Sequence, residues 1–275
     1  MGAFVHYKNH AIYYEIHSCQ KPSKEYILLI HGFLASQYCF RHMIPKLSAT
    51  YNIICMDIPP FGNSSKIKDN LYTYDNMVDA IFFLLDQLNI HKITVLGHSM
   101  GGQIAIRCGY RYANRIKELF LLSPCCFMKK SPMFTRLVRY NPLSTYFAKS
   151  FLRNKGVREV LRQCIYNDSM ITPTMIEAYK HPFEQKEIYP TLLTWLKNHQ
   201  GDLHEQALKQ ITLPITIFWG KSDLLLPYEL GYHLLSNLQN AKLILYENVG
   251  HLLPEEIPQL LVPAIIKAKN ETELL

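Results

Sequence analysis

Apolar residues recur along the chain in short, nearly unbroken runs, and each run is followed by a polar residue or a glycine. Six such runs are 25–30, 51–56, 92–96, 119–122, 214–219 and 242–246. Runs of this kind are typical of strands in a parallel sheet, because both faces of such a strand are buried. Two earlier segments, 4–7 and 11–16, flank a polar turn and predict a hairpin. The pattern therefore predicts eight strands.

Helical patterns separate the later strands. Apolar residues fall at helical spacing between Met77 and Leu85, and again between Ile104 and Cys108. A further helix is predicted near 259–267, after the last strand. Because strand and helix alternate, the sequence predicts an α/β fold with a doubly wound, mostly parallel, eight-stranded sheet.

The alternation stops after the sixth strand and resumes only at the seventh. The intervening residues are rich in aromatic side chains, have a helical pattern and are interrupted by five prolines. They are too many for an ordinary loop between a strand and a helix. The sequence therefore predicts a helical cap at 125–207, inserted into a core that consists of 1–124 and 208–275.

Composition and charge exclude some classes of protein. The chain has 275 residues, of which 48% are hydrophobic, and a formal net charge of +7. Nucleic-acid binding requires a clustered patch and a recognisable motif in addition to positive charge, and the sequence has no such motif. No apolar stretch approaches the ~18 residues that a membrane span requires. We expect neither a nucleic-acid partner nor stable membrane insertion.

The seven cysteines are scattered and form no C-x-x-C pair. The first ten residues lack the apolar run of a signal peptide. Free thiols in a reducing compartment are the simplest interpretation, so we expect a cytoplasmic protein. The sequence also lacks H-E-x-x-H and dinucleotide-binding glycine patterns, so we expect no metal and no cofactor.

One serine lies in a glycine-rich turn between a predicted strand and a predicted helix. Residues 97–102 read GHSMGG, which contains the G-x-S-x-G pattern of a nucleophile elbow. The turn is so sharp that a Cβ atom at Gly97 or Gly101 would clash. The helix that follows directs its free N–H groups and positive dipole end at the serine. Ser99 is therefore the predicted nucleophile.

Four further motifs accompany this turn in a fixed order. They are HGF at 31–33, DIPPFGNS at 57–64, WGKSD at 219–223 with a proline at 227, and GH at 250–251 followed by PEE at 254–256. With these motifs the sequence resembles the cap-bearing serine esterases of the α/β-hydrolase superfamily, over essentially the whole chain. The resemblance implies the α/β-hydrolase fold and hydrolysis of a carboxylic ester through an acyl-enzyme.

The partners of Ser99 can be located relative to the last strands. In this fold the chain order is serine, acid, histidine. Asp223 follows the seventh predicted strand and His251 follows the eighth, so they are the predicted acid and base. An acid one strand earlier is excluded, because residues 119–130 contain no Asp or Glu. Asp57 also follows a strand, but it matches a structural turn of the family.

The resemblance also implies how the reaction intermediate is held. Backbone N–H groups of Phe33 and Met100 are expected to form the oxyanion hole. Asp223 is expected to orient His251 while that imidazole takes the proton of Ser99.

Apolar residues of the predicted cap allow two interpretations. The candidate substrate-binding residues are Phe134, Leu137, Phe147 and Trp195. They either line an acyl pocket or fasten the cap to the sheet. In both cases we expect an apolar substrate of short to medium length.

The first half of the predicted cap is basic. Nine lysines and arginines lie in 129–162, against the single acid Glu159. They form a solvated helical face, a docking surface for an acidic carrier protein, or a contact with an anionic membrane surface. The carrier hypothesis rests on a similarity to methyl esterases that act on acyl chains bound to acyl carrier protein.

The favoured function is that of a carboxylesterase acting on a small-molecule ester. Dehalogenases and epoxide hydrolases of this superfamily need an aspartate nucleophile where this chain has Ser99. Carbon–carbon bond hydrolases share the serine triad but tend to carry Asn before the serine, where this chain has His98. An acyl-carrier methyl esterase and a non-catalytic ligand-binding receptor are the remaining alternatives.

Overall fold

A computed structural model describes residues 2–20, 23–67, 72–127, 156–198 and 200–273. In this part of the chain eight strands form one sheet, in the spatial order β1-β2-β4-β3-β5-β6-β7-β8. The strands are β1 Gly2–Tyr7, β2 His10–His17, β3 Tyr26–Ile30, β4 Asn52–Met56, β5 Ile93–His98, β6 Ile116–Leu122, β7 Ile215–Gly220 and β8 Ala241–Tyr246.

The sheet is mostly parallel. β2 runs antiparallel to both of its neighbours, β1 and β4, and every other neighbouring pair is parallel. β1 and β2 form the predicted hairpin, and Lys8 in its turn has a positive φ of 52°. All eight predicted strands are present, with ends that differ from the prediction by about one to three residues.

Helices connect the parallel strands and flank the sheet. The helices with described bounds are α1 Ile44–Leu47, α2 Tyr74–Gln87, α3 Met100–Arg111, α4 156–164, α5 Pro173–Glu184, α6 Ile188–Asn198, α7 Glu205–Leu208, α8 Glu229–Asn237, α9 Leu253–Glu256 and α10 Pro258–Glu273. Among these helices, none is both long and apolar enough to cross a membrane.

The central strands bury both of their faces. In β3, Leu28 and Ile30 belong to the core cluster that includes α2 and α3, whereas Ile27 and Leu29 belong to the cluster that includes α10. Burial of each such side chain contributes about 2 kcal/mol to folding. This two-sided burial explains why the strands read as continuous apolar runs, and it confirms the predicted doubly wound α/β fold.

A helical insertion separates β6 from β7. We use this name for residues 156–198 and 200–208, which contain α4 to α7. Ile165 and Met175 of the insertion join the core cluster on the α10 side, and Leu192 and Trp195 join the other cluster. The limits of the predicted cap, 125–207, stay a prediction, and its residues 128–155 lie outside the described residues.

Candidate active site

Ser99 lies at the junction of β5 and α3. Its backbone has φ 54° and ψ −117°, a conformation that a residue with a side chain adopts only under strain. Hydrogen bonds hold it there: the Ser99 N–H donates to the Leu122 carbonyl, and the Ser99 carbonyl accepts from the N–H of Cys125, both at 2.9 Å. The strain is thus maintained by the neighbouring strand β6 and the loop after it.

Two glycines make the sharp turn around Ser99 possible. A Cβ atom on Gly97 would overlap the carbonyl of Gly101, and a Cβ atom on Gly101 would overlap the carbonyl of Ile30 in β3. Only glycine lets these backbones approach so closely. The packing agrees with the clash expected from the GHSMGG sequence.

Asp223 lies in the loop after β7, with its side chain buried. One carboxylate oxygen accepts from the backbone N–H groups of Leu225 and Leu226, each at 2.9 Å. The other lies 2.7 Å from Nδ1 of His251. Burial by itself would raise the pKa of this carboxyl, but the bonds from His251 and the two N–H groups outweigh burial and lower the pKa. Asp223 is therefore an ionised acceptor.

His251 follows β8, and its backbone is held on both sides. Its N–H donates to the carbonyl of Cys164 at 2.7 Å, and its carbonyl accepts from Nε2 of His98 at 2.8 Å. Because Asp223 accepts from Nδ1, the neutral imidazole carries its proton there and leaves Nε2 as the basic nitrogen.

The side chain of Ser99 is turned toward Cys125. Oγ of Ser99 lies 3.6 Å from Sγ of Cys125, and in the described structure it makes no hydrogen bond to His251. Catalytic hydrogen bonds are often long or poorly aligned before substrate binds and tighten only in the complex. A bond between Ser99 and His251 therefore requires the hydroxyl to leave Cys125.

Sequence analysis did not identify Cys125 as a neighbour of the nucleophile. Burial raises the pKa of its thiol to about 12, so the thiol stays protonated and is not itself a nucleophile. The signal was available in principle, because Cys125 lies in the loop that follows β6, the strand beside β5. The contact itself depends on side-chain rotamers.

The predicted oxyanion loop runs beside Ser99. A Cβ atom built on Gly32 would lie 3.1 Å from Cβ of Ser99. His31 fixes this loop, because its Nδ1 donates to the Gly32 carbonyl at 2.8 Å and its Nε2 accepts from the N–H of Ile58 at 2.9 Å. Burial lowers the pKa of His31, which keeps it neutral in this role.

Phe33 and Met100 were predicted to supply the oxyanion-hole N–H groups. Met100 is the first residue of α3, so its N–H has no partner one turn earlier in the helix. The ring of Phe33 packs between Phe61, at 5.3 Å, and Trp195, at 4.8 Å between centroids. These contacts hold the loop whose Phe33 N–H is predicted to bind the oxyanion.

The predicted substrate-binding residues are only partly described. Phe134, Leu137 and Phe147 lie outside the described residues. Trp195, on α6, is 7% exposed. Besides Phe33 it contacts Tyr74, with 6.1 Å between the ring centroids of Trp195 and Tyr74. Trp195 therefore fastens the helical insertion to the core beside the candidate site, and a role in substrate binding stays a prediction.

The predicted basic surface is also only partly described. Its first residues, 129–155, lie outside the described residues. Of the remainder, Arg162 forms ion pairs with Glu159 and Asp168, at 3.6 and 3.1 Å. Such half-exposed pairs stabilise little. Binding of an acidic carrier protein stays a prediction.

Asp57 is a structural residue of a turn. Its two carboxylate oxygens accept from the backbone N–H groups of Gln37 and Asn63, each at 2.8 Å. Among the described residues, no group of three or more His, Cys, Asp or Glu side chains is arranged to hold a metal ion.

The arrangement can be compared with known proteins. A sequence model of the α/β-hydrolase fold family matches residues 25–258. The chain belongs to the α/β-hydrolase fold family. An uncharacterized hydrolase of Bacillus subtilis strain 168, YugF, is 32% identical over 250 residues, which is 91% of each chain. This protein is accordingly a hydrolase of that family.

Other proteins to which the chain is similar differ in the substrate that their names indicate. A 2-hydroxy-6-oxononadienedioate/2-hydroxy-6-oxononatrienedioate hydrolase of Cupriavidus pinatubonensis is 22% identical, over 77% of this chain and 73% of its own. The solved structure of the epoxide hydrolase CorEH has a TM-score of 0.80 at 20% identity, over 97% of each chain. The latter likeness shows the fold alone. The bond that this α/β-hydrolase cleaves has to be inferred from its own residues.

Proposed function

We propose that this α/β-hydrolase is a carboxylesterase that cleaves short- to medium-chain carboxylic esters through an acyl-enzyme on Ser99. The observation that carries the proposal is the 2.7 Å hydrogen bond from His251 to the buried carboxylate of Asp223, beside a serine held at a positive φ. A buried and oriented imidazole next to a strained serine is the arrangement that activates a hydroxyl for acyl transfer.

The reaction begins when the hydroxyl of Ser99 turns from Cys125 toward His251. Nε2 of His251 takes the hydroxyl proton while Oγ attacks the acyl carbon, and Asp223 stabilises the imidazolium. The imidazolium then protonates the leaving alkoxide, which leaves the acyl group on Ser99. Water, deprotonated by His251, attacks the acyl carbon, and the carboxylic acid departs as the serine regains its proton.

Negative charge develops on the carbonyl oxygen of the substrate during the reaction. We assign its stabilisation to the N–H groups of Phe33 and Met100. The proximity of the Gly32 backbone to Ser99 and the position of Met100 at the start of α3 support this assignment. Removal of one such donor commonly lowers kcat by about 10² to 10³.

A carbon–carbon bond hydrolase is the second candidate. The Cupriavidus pinatubonensis relative, named for a 2-hydroxy-6-oxo diacid, favours it. His98 argues against it, because its Nε2 already donates to the His251 carbonyl. Burial lowers the pKa of His98 to about 3, so its Nδ1 carries no proton and cannot donate to a substrate oxygen.

Labelling and substrate series together test the proposal. Fluorophosphonate should label the wild-type protein and leave the folded Ser99→Ala variant unlabelled. p-Nitrophenyl esters from acetate to dodecanoate should be cleaved with a maximum at short or medium chains. Cleavage of a 2-hydroxy-6-oxo dienoate with no ester cleavage would favour the second candidate. Absence of labelling in folded wild-type protein would favour a ligand-binding receptor.

A further inference from the structure

Glu256 is a buried carboxylate close to the candidate active site that has no part in the reaction as proposed. It ends α9, five residues after His251, and is 6% exposed. Its two oxygens accept hydrogen bonds from two backbone N–H groups that belong to different parts of the fold. Oε1 accepts from Gly250 at 2.9 Å, and Oε2 accepts from Tyr166 at 2.8 Å.

These two contacts join the helical insertion to the loop that carries His251. Gly250 precedes His251 directly, and Tyr166 lies just after α4. The carbonyl of Cys164, at the end of α4, accepts from the N–H groups of His251 and Leu252 at 2.7 and 3.0 Å. The helical insertion thus fixes the peptide groups around His251 in two ways. The carbonyl of Cys164 binds them directly, and the N–H of Tyr166 is linked to the N–H of Gly250 through the carboxylate of Glu256.

We propose that Glu256 is a positioning residue that holds His251 in place by linking the N–H of Gly250 to the N–H of Tyr166. We call this pair of contacts the Glu256 bridge. The inference rests on the proposed role of His251 as the base. It adds that the placement of this base depends on a seated helical insertion and on an ionised carboxylate.

The state of charge of Glu256 matters because both contacts use it as an acceptor. A carboxylate accepts both N–H groups, whereas a protonated carboxyl turns a hydroxyl toward one of them. Burial raises the pKa of Glu256 to about 7, and the bonds from Tyr166 and Gly250 oppose that rise. The titratable groups that face it are Asp223, which raises the pKa, and His251, which lowers it. Burial, with smaller contributions from the charges of Asp223 and Glu256, raises the pKa of the Cys164 thiol to about 12.

The raised pKa also predicts an unusual sign for stability. The pKa of Glu256 is higher in the folded protein than in the unfolded protein. Such a carboxyl stabilises the fold when the pH is below its pKa in the unfolded protein, and this stabilisation is lost as the pH rises through about 7. Ionised Glu256 therefore does not favour folding at alkaline pH. A neutral substitute should lower activity there without lowering the melting temperature.

The test uses Glu256→Gln, with Glu255→Gln as the matched control. Glu255 is the adjacent buried carboxylate, but it accepts from Arg41 and from the hydroxyl of Tyr179, at 2.9 Å for the latter. Rates of p-nitrophenyl butyrate hydrolysis are measured at the isosbestic wavelength of p-nitrophenol between about pH 5.5 and about 9. Melting temperatures are measured over the same range, and Ser99→Ala is run in parallel.

As the pH is lowered, protonation of His251 reduces the kcat of the wild type. We expect protonation of Glu256 to cause a further fall in kcat of about tenfold, centred near pH 7. Glu256→Gln should lack this fall, should have about a tenfold lower kcat at alkaline pH with KM changed by less than about twofold, and should keep its melting temperature. Glu255→Gln should melt at a lower temperature but keep the shape of the wild-type profile.

Three results would overturn the inference. They are a wild-type profile with a single ionisation, a wild-type kcat in Glu256→Gln, and a loss of activity in that variant that parallels a loss of stability at alkaline pH. The first does not depend on whether any variant folds. Equal hydrolysis by wild type and Ser99→Ala would instead refute the proposed function, so the two failures are distinguishable.

Discussion

Asp223 has two functions within one side chain. One oxygen binds two backbone N–H groups of its own loop, which fixes the carboxylate, and the other binds His251. Because the carboxylate is both buried and fully bonded, its geometry is set before any substrate arrives. This is the arrangement expected of a residue that selects the tautomer of an imidazole.

Asp223→Asn should therefore lower kcat for ester hydrolysis by about 10⁴ while the protein stays folded. The amide keeps an acceptor for the loop N–H groups but can present an N–H to Nδ1, which favours the wrong tautomer. Steady-state kinetics and circular dichroism check this result. Asp57→Asn is the control, since it alters another buried carboxylate with two N–H partners and should affect stability more than kcat. A loss of less than about tenfold in Asp223→Asn would contradict the assigned role.

Some of the site could be predicted from residues alone and some could not. Ser99, Asp223 and His251 were predicted because each comes after an apolar run, and such runs mark strands whether the strand is fully buried, as β5 and β7 are, or only partly buried, as β8 is. The turn of Ser99 toward Cys125 and the Glu256 bridge depend on rotamers and on contacts between segments distant in sequence. No local pattern encodes such contacts.

At the scale of elements, α6 connects the helical insertion to the oxyanion loop. Trp195 on α6 packs on Phe33, and Phe33 in turn packs on Phe61. The position of the Phe33 N–H is therefore coupled to how α6 sits on the core. A side chain expected to bind substrate has a second effect through packing.

Trp195→Ala should lower the free energy of unfolding by about 3 to 5 kcal/mol and kcat by about tenfold or more, because the cavity lets Phe33 move. Trp195→Phe should retain most of the activity. Leu192→Ala, on the same helix and in the same core cluster, should cost about 2 to 5 kcal/mol of stability with kcat nearly unchanged. Urea titration and steady-state kinetics provide both measurements. Equal effects of Trp195→Ala and Leu192→Ala on kcat would show that Trp195 acts only through stability.

The beginning of β6 depends on a contact between segments that are distant in sequence. β6 begins at Ile116, three residues before the predicted start at 119. The omitted residues include Lys117 and Glu118, whose charges interrupt the apolar run. Glu118 is nevertheless buried, because Lys269 of α10 reaches it at 3.3 Å. A partner 151 residues away compensates its charge, and the sequence gives no local sign of it.

At the scale of the whole molecule, the fold separates a stabilising charge cluster from the candidate active site. Nζ of Lys269 contacts Glu25, Glu118 and Thr94, at 3.1, 3.3 and 3.4 Å. These residues lie at or near the beginnings of their strands, whereas Ser99 and Asp223 follow strand ends. The charge cluster therefore lies at the amino-terminal ends of the parallel strands, and the candidate active site lies at their carboxyl-terminal ends, where open α/β folds usually bind ligands.

Lys269→Met should consequently lower the free energy of unfolding by about 3 to 5 kcal/mol, because it leaves Glu118 buried without its cation. It should leave kcat within about twofold of the wild type. Denaturant unfolding and ester hydrolysis are measured on the same preparation. Lys267→Met, at an exposed position of the same helix, is expected to change neither quantity. A selective loss of kcat in Lys269→Met would refute this separation of stability from activity.

Ser99 is the proposed nucleophile of an ester hydrolase. The most direct test of this role is the ratio of kcat/KM for p-nitrophenyl butyrate between wild type and Ser99→Ala, with folding of the variant checked by circular dichroism. We expect a loss of about 10⁶, since removal of the nucleophile disables the whole triad. A loss of only about tenfold in a folded variant would contradict it.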